Sequence, residues 1–286
     1  MQFERQRLYI GCPMWANSRW KGSLFADDLS NNEFLAGYSQ YFNSVEGNTS
    51  FYADPSESQL ARWATQLPEH FRFVFKVPRR FSHQLAELDH NALLAWWQHF
   101  TPVHPYIGLV HLQLPATAGP ALLGQFATVL ELLSSKIPVA VEVRHPAFFD
   151  KAEHELTLNR LLQRYNAERV VLDSRALFSV AANSPALLDA QAKKPRLPVH
   201  AICLSDRPML RFIGTDDLEL NRQFYTPWLA KINGWLREGK SPYCFFHTPD
   251  NTLAPQLCRQ FVKDLQQPHS VLAPWSGEQQ AQLGLW

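Results

Sequence analysis

The sequence predicts an α/β protein, a single (β/α)8 barrel of the TIM type. Eight short runs rich in β-branched and aromatic residues alternate with longer amphipathic stretches, which is the pattern of parallel strands joined by helical crossovers. A chain of 286 residues is long enough for eight such units in one domain. The predicted strands cover residues 8–12, 44–48, 72–77, 107–114, 139–143, 169–173, 210–214 and 243–247.

Composition and charge fit one soluble domain. Of the residues, 46% are hydrophobic and the net charge is +1, so charge alone indicates neither nucleic acid nor membrane as a partner. No glycine- or serine-rich linker divides the chain, and we predict one barrel domain over residues 1–267 and a polar tail over residues 268–286. The apolar run at residues 8–12 is too short for a signal peptide, and the four cysteines are far apart, which predicts a cytoplasmic protein with reduced thiols.

Helix starts are visible between the predicted strands. Ser56 precedes an amphipathic run, and residues 91–100 repeat apolar side chains at spacings of three and four. Pro120 opens a helix that is predicted to run to Leu133, and Pro227 is predicted in the first turn of another helix.

The connection between the sixth and seventh strands is unusually long. Ser184 and Pro185 predict a helix start, the basic run KKPR follows at residues 193–196, and residues 199–204 read as an additional strand. Long loops in compact domains are often functional, and this insertion leaves the end of the barrel where TIM-barrel sites are built. A solvated surface loop is the alternative interpretation.

The stretch PVAVEVRHP at residues 138–146 places charges inside a predicted strand. Val139, Val141 and Val143 share one face by the strand period, whereas Glu142 and Arg144 share the other. Buried charges are costly unless paired, so we expect Glu46 or Glu142 to pair with Lys76 or Arg211, either as a structural network or as part of a site. If each polar face points inward, the interior receives Glu46, Asn48, Lys76, His111, Gln113, Glu142, Arg144, Asp173, Arg211 and His247.

These side chains indicate an anionic ligand. Lys76, Arg144 and Arg211, with Arg175 as a further candidate, suit a phosphate or carboxylate. A general base or acid is expected among Glu46, Glu142 and Asp173, with Asn48, His83 and His247 as further ligand contacts. Zinc or manganese held by His83, His145 and His247 with two carboxylates stays open, because no linear metal-binding motif is present and the sequence predicts no particular cofactor.

Aromatic residues follow several of the predicted strands. We select Trp15 and Tyr52 as ligand contacts, since stacked rings could hold a base or a sugar. Packing that seals the end of the barrel is the alternative. The other aromatic residues in this region are Trp20, Phe51, Phe81, Phe148 and Phe149.

Six segments carry motifs that occur together. They are IGCPMWANSRWKGSLF at residues 10–25, FNSVEGNTSFYADPS at 42–56, RFVFKVPRRFSHQ at 72–84, VEVRHPAFF at 141–149, LRFIGTDD at 210–217 and FFHTPDN at 245–251. Over nearly the whole chain these resemble the YecE-like family, the domain of unknown function seventy-two. The resemblance implies a TIM-like barrel and no established activity. Many relatives carry an asparagine pair where this chain has His247 and Thr248.

The last five residues, QLGLW at 282–286, resemble short peptides that dock on the bacterial sliding clamp. Gln282, Leu285 and Trp286 supply the expected anchors, while packing of the same residues on the barrel is the alternative.

Two functions therefore remain open. One is an enzyme, for example a phosphate-ester hydrolase, that processes a phosphate-bearing nucleotide, nucleic acid or other anion. The other is a non-catalytic barrel that binds a small anion or nucleotide and a protein partner through its tail.

Overall fold

Nine strands form two parallel sheets in the computed structural model, which describes residues 8–283 and the side chains up to residue 280. The sheet orders are β1-β9-β8-β7 and β2-β3-β4-β5-β6. The predicted α/β class is therefore correct, although the ladders form two open sheets. The strands are β1 (Tyr9–Gly11), β2 (Ser44–Gly47), β3 (Arg72–Lys76), β4 (Ile107–Gln113), β5 (Val139–Glu142), β6 (Glu168–Arg169), β7 (Val171–Asp173), β8 (Met209–Ile213) and β9 (Tyr243–His247).

Helices connect the strands, and several of them begin at a side chain that caps the first turn. Ser184 accepts a hydrogen bond from the backbone of Leu187 and starts α8 as predicted. The predicted position of Pro227 in a first turn is wrong, because Asp217 caps the helix earlier and Pro227 lies inside it. The helices are α1 (Phe34–Ser39), α2 (Thr49–Tyr52), α3 (Glu57–Gln66), α4 (Arg79–Ser82), α5 (His90–His99), α6 (Leu123–Ser134), α7 (Glu153–Arg164), α8 (Pro185–Lys193), α9 (Leu218–Arg237), α10 (Ala254–Leu265) and α11 (Ser276–Leu283).

The predicted sixth strand changes partner at one residue. β6 pairs with β5, and β7 pairs with β8, so that only Val170 separates the two sheets along the chain. The Val170 amide still donates to the carbonyl of Val141 in β5. The chain therefore passes from one sheet to the other without a loop.

A small apolar core lies between the sheets and draws residues from both. Tyr9 of β1 stacks on Tyr243 of β9, with ring centroids 4.3 Å apart. A side chain at Gly108 in β4 would collide with the Tyr243 ring, so the two sheets approach each other closely there. The members of this core are Tyr9, Val74, Leu109, Ala140, Val170, Met209, Tyr243 and Phe245. A larger apolar core fills the space between the strands and the surrounding helices.

Side chains connect β1 to β2. The hydroxyl of Tyr38 accepts from the Cys12 amide at 2.8 Å and donates to the Ser44 carbonyl at 2.8 Å. The Glu46 amide donates to the Cys12 carbonyl, and Gly11 lets the backbones meet because any Cβ there would overlap the Ser44 carbonyl. Cys12 itself is fully buried, as free cysteines often are.

The insertion between β7 and β8 does not contain the strand predicted at residues 199–204; that prediction is wrong. A buried carboxylate takes the place of a neighbouring strand, since Glu168 accepts from the amides of Leu204 and Ser205. His200 contacts the Glu155 carboxylate at 2.7 Å. Side-chain contacts therefore hold this segment against the domain.

The segment predicted as a tail packs against the domain over part of its length. Trp275 is buried, and the guanidinium of Arg259 lies over its ring while pairing with Glu278. Gln282 lies in the last turn of α11, but residues 284–286 lie outside the described residues, so the clamp-binding interpretation stays a prediction. Across residues 8–283, no helix is long and apolar enough to cross a membrane.

Candidate functional site

Polar side chains meet at the carboxyl ends of the strands. The registers place Lys76 of β3 beside His111 of β4, and Gln113 of β4 beside Glu142 of β5. Neighbours in a parallel register project to the same face, so the inward polar face predicted for these strands is correct. These side chains form a polar layer that lies two residues closer to the carboxyl ends of the strands than the small core, for example Lys76 after Val74 and Glu142 after Ala140.

Arg211 of β8 forms the centre of this layer. Its guanidinium contacts Glu46 of β2 through Nε at 3.1 Å and Nη2 at 2.9 Å, and contacts Glu142 through Nη1 at 2.5 Å. Arg211 and Glu46 have no solvent exposure, and Glu142 has 1%. One buried arginine of the four-stranded sheet thus joins two carboxylates of the five-stranded sheet.

Two further cations complete the predicted pairing. Lys76 Nζ lies 3.1 Å from Glu46 and 2.9 Å from the Gln113 amide oxygen. Arg144 contacts Glu142 through Nε at 2.7 Å and Nη2 at 2.6 Å. The expectation that Glu46 or Glu142 pairs with Lys76 or Arg211 is confirmed.

Two histidines contact the same carboxylates. His111 is fully buried between them, with Nδ1 3.6 Å from Glu46 and Nε2 3.4 Å from Glu142. His247 of β9 places Nε2 3.0 Å from Glu46 Oε2. Because an ionised carboxylate only accepts, His247 donates from Nε2 and keeps its lone pair on Nδ1.

The carboxylates stay ionised despite their burial. Burial raises the pKa of Glu46, but Arg211 and Lys76 outweigh it and hold that pKa well below its usual range. For Glu142, Arg211 and Arg144 outweigh burial in the same way. Because their lone pairs are bound to cations, both groups are weak proton acceptors and act as orienting groups.

The pKa values of two basic groups in the cluster, Lys76 and His247, are lowered. Burial lowers the pKa of Lys76 to about 8, with Arg211 adding to the shift and Glu46 opposing it. Burial also lowers the pKa of His247 to about 3, with Lys194 and Arg211 contributing, so this ring is neutral. A neutral histidine beside a carboxylate can act as a proton acceptor or as a nucleophile.

Lys194 joins the site from the insertion and was not among the predicted site residues. It directly follows α8, is half-buried, and forms no ion pair with any carboxylate between residues 8 and 280. Burial, with repulsion from Arg211 and Lys76, lowers its pKa to about 7. The KKPR run was the signal for this residue, but the sequence could not show that one of its lysines turns inward.

A cleft of about 850 Å³ lies against this cluster and is lined by its basic members, Lys76, Arg144, Lys194, Arg211 and His247. Trp15 lies in its wall, but it is only 9% exposed because it packs edge-on against Trp63 and Phe73. Tyr52 stands at the mouth and is 79% exposed. Both predicted aromatic contacts therefore line the cleft, and Asn48 lies there with them.

Asp173 does not belong to this cluster, and its predicted inward orientation is wrong. It pairs in register with Phe212, whose ring packs on Tyr225 of α9, and so it faces the helices. Its carboxylate contacts Arg175 at 2.7 Å and accepts from the Trp228 indole at 2.8 Å. Arg175, which pairs with this carboxylate, does not line the cleft either.

The predicted histidine ligands are dispersed. His83 packs edge-on against Phe51, and burial, Arg79 and Arg144 lower its pKa. His145 accepts from the backbone of Ala147 at the start of a short turn. No group of three metal-binding side chains comes together in the described part of the chain.

Comparisons with known proteins place this chain in a family. The model of "Protein of unknown function DUF72" matches residues 9–282. The chain belongs to the DUF72 family. It is 41% identical to the UPF0759 protein YecE of Escherichia coli (strain K12) over 260 residues, which cover 90% of this chain and 92% of the relative. The UPF0759 protein YunF of Bacillus subtilis (strain 168) is 26% identical over 164 residues, covering 53% of this chain and 56% of the relative.

Solved DUF72 structures share the fold. A DUF72 protein of Enterococcus faecalis V583 superposes with a TM-score of 0.69 at 16% identity, covering 92% of this chain and 96% of that one. A DUF72 protein of Thermotoga maritima MSB8 gives a TM-score of 0.66 at 19% identity, covering 92% and 100%. The predicted family is confirmed, and the chemistry has to be argued from the cleft.

Proposed function

We propose that this protein is an enzyme that hydrolyses phosphate esters in the cleft. The observation that carries the proposal is the balance of charge, because four cationic side chains surround two carboxylates when Lys194 is protonated. A doubly negative phosphate group balances this excess. The four cations are Lys76, Arg144, Lys194 and Arg211.

The Glu46–His247 pair supplies the proton acceptor. Glu46 holds the ring in the tautomer with the lone pair on Nδ1. A bound phosphate raises the low pKa of His247 because its negative charge stabilises the imidazolium. Water attacks phosphorus as His247 takes its proton, and the ester oxygen leaves with the bonding electrons and takes a proton from Lys194. Return of the proton from His247 to Lys194 restores the site.

Arg211 fixes the carboxylates that orient these groups. Lys76, Arg144 and Lys194 face the ligand, and Arg144 also pairs with Glu142. The alternative function uses the same cations without turnover, as a non-catalytic receptor for a small anion. Release of inorganic phosphate from a panel of phosphate monoesters separates the two functions. Binding of inorganic phosphate with no release from any monoester favours the receptor.

Sulfate affinity is expected to fall by about tenfold or more between pH 6 and pH 9, since hydrogen bonds to charged groups are worth about 1.5–3 kcal/mol. Sulfate keeps its charge over this range, whereas Lys194 with a pKa of about 7 and Lys76 with a pKa of about 8 lose theirs as the pH rises. Bound anion raises both pKa values, so binding at pH 8 takes up protons. Calorimetry in two buffers with different ionisation enthalpies measures the affinity and the uptake.

Lys194→Met is expected to weaken sulfate binding and to remove the part of the pH dependence centred near pH 7. Lys240→Met is the matched control, because Lys240 is also half-buried but pairs with Glu238 away from the cleft. Equal losses in the two variants, or an affinity that is constant across the pH range, would contradict the assignment of Lys194 to the anion site.

We also infer that the two sheets close into one (β/α)8 barrel. The inference is supported at one junction by Val170, the single residue between β6 and β7, and at the other by the Tyr38 bridge between β1 and β2.

The clamp-binding role of the last residues is a separate proposal. Deleting Leu285 and Trp286 is expected to abolish capture by the bacterial sliding clamp in a pull-down, and unchanged capture would end it.

A further inference from the structure

The cleft has two chemically different sides. Its cations come from the ends of β3, β5 and β8 and from the residue after α8. The opposite side is formed by the loops that follow β2 and β9, two strands that flank β1. That second side presents neutral side chains, namely Asn48, Thr248 and Asn251.

Each of these neutral residues has a buried oxygen without a donor. The Asn48 amide group donates from Nδ2 to the Pro13 carbonyl at 2.8 Å, which fixes its orientation and leaves Oδ1 as the free acceptor. Asn48 Oδ1, Thr248 Oγ1 and Asn251 Oδ1 receive no hydrogen bond from residues in the described part of the chain. Thr248 is only 3% exposed. Buried polar atoms in native proteins nearly always have a partner, so three such oxygens in one cleft indicate that the ligand donates to them.

The donors on the ligand must be uncharged. An ammonium group would be repelled by the excess of cations across the cleft, and the buried, edge-packed Trp15 offers little ring face to a nucleobase. Hydroxyl groups satisfy both demands, because they donate to the amide oxygens and also accept from the Thr248 hydroxyl. A cleft of about 850 Å³ has room for several hydroxyl groups beside a phosphate.

We infer that the ligand is a phosphorylated polyol, a sugar phosphate, whose phosphate lies among Lys76, Arg144 and Lys194 and whose hydroxyls donate to Asn48, Thr248 and Asn251. The position of the phosphate in this inference rests on the proposed function. The position of the hydroxyl groups rests only on the three buried oxygens of Asn48, Thr248 and Asn251.

Calorimetric titration with D-glucose 6-phosphate, D-ribose 5-phosphate, inorganic phosphate and D-glucose tests the inference. At least one sugar phosphate is expected to bind about tenfold or more tightly than inorganic phosphate, since two or more hydrogen bonds are added. Thr248→Val is expected to weaken the sugar phosphate about three- to tenfold while leaving inorganic phosphate nearly unchanged. Thr248→Ser keeps the hydroxyl, so this variant is expected to bind the sugar phosphate more tightly than inorganic phosphate by the same factor as the unchanged protein.

Thr128→Val serves as the control, because Thr128 is half-buried on α6, does not line the cleft, and donates from its hydroxyl to the Gly124 carbonyl of its own helix. If inorganic phosphate binds as tightly as both sugar phosphates, the polyol assignment is wrong while the anion site stands. If neither inorganic phosphate nor the sugar phosphates bind, the proposed function fails as well. A loss of inorganic phosphate binding in Thr248→Val equal to the loss for the sugar phosphates also overturns the assignment of Thr248 to the hydroxyls.

Discussion

Replacement of Arg211 by methionine is expected to lower the free energy of unfolding by about 3–5 kcal/mol, because removing one partner from a buried ion network leaves the others uncompensated. Arg211 is fully buried and is the only described side chain that contacts both Glu46 and Glu142 through charged hydrogen bonds. Without it, two carboxylates remain in an interior that excludes water. Denaturant unfolding followed by circular dichroism measures the loss.

Arg222→Met is the matched control, since Arg222 also pairs with two carboxylates, Glu219 and Asp264, but on the surface. Its loss of stability is expected to be much smaller, because solvent screens exposed ion pairs. Adding Glu142→Gln to Arg211→Met is expected to recover part of the stability by removing one of the stranded charges. A loss for Arg211→Met no larger than that for Arg222→Met would show that the network contributes little to stability.

Replacement of His247 by glutamine is expected to reduce phosphate release about 10²–10⁴-fold, the range of a positioned general base. Glutamine keeps a hydrogen bond to Glu46 but has no group that can take a proton from water. Glu46→Gln is expected to lower the rate as well, because it replaces the charged acceptor of the His247 hydrogen bond by a neutral amide that no longer stabilises the imidazolium. Rates of phosphate release at saturating monoester, with the fold checked by circular dichroism, give both effects.

His154→Gln on α7 is the control for a histidine outside the cleft, since its side chain is exposed. Its rate should equal that of the unchanged protein. A His247→Gln variant that retains full turnover rules out the proposed role of this ring, and the search for a base then moves to Lys194, whose pKa of about 7 suits proton transfer.

The direction in which a side chain points could be predicted from the sequence where polar and apolar residues alternate within one strand. The alternation of Glu142 and Arg144 with valines predicted their common inward face, and the same parity placed Lys76 and Arg211 correctly. The rule works because the strand period is two and because unpaired charges are excluded from the interior. It failed at Asp173, where Trp228 of α9 provides a partner on the outer face. A polar residue on a strand faces whichever side offers it a partner, and the sequence of the strand does not contain that information.

Lys194 could not have been located from its neighbours in the sequence. Lys193 and Lys194 are chemically identical, and only the exit direction of the chain from α8 separates an exposed ion pair from a half-buried amine. The same limit applies to residues 199–204, whose composition suits a strand. The amide of Leu204 at the end of this segment donates to Glu168, as does the amide of Ser205 after it, and no neighbouring strand pairs with the segment in the described residues. Contacts between distant parts of the chain decide both cases.

The order of strands in the two sheets has a consequence for synthesis on the ribosome. The sheet from β2 to β6 uses one continuous stretch of chain, whereas β1 pairs with β9, the last strand. Folding proceeds from the N-terminus as the chain emerges, so β1 must wait for its neighbour until nearly the whole chain has been translated. Glu46 and Glu142 are then in place before Arg211 arrives on β8. Until β8 has been translated, the two carboxylates have only Lys76 and Arg144 as cationic partners, and the arginine that joins them is the last of the network to be added.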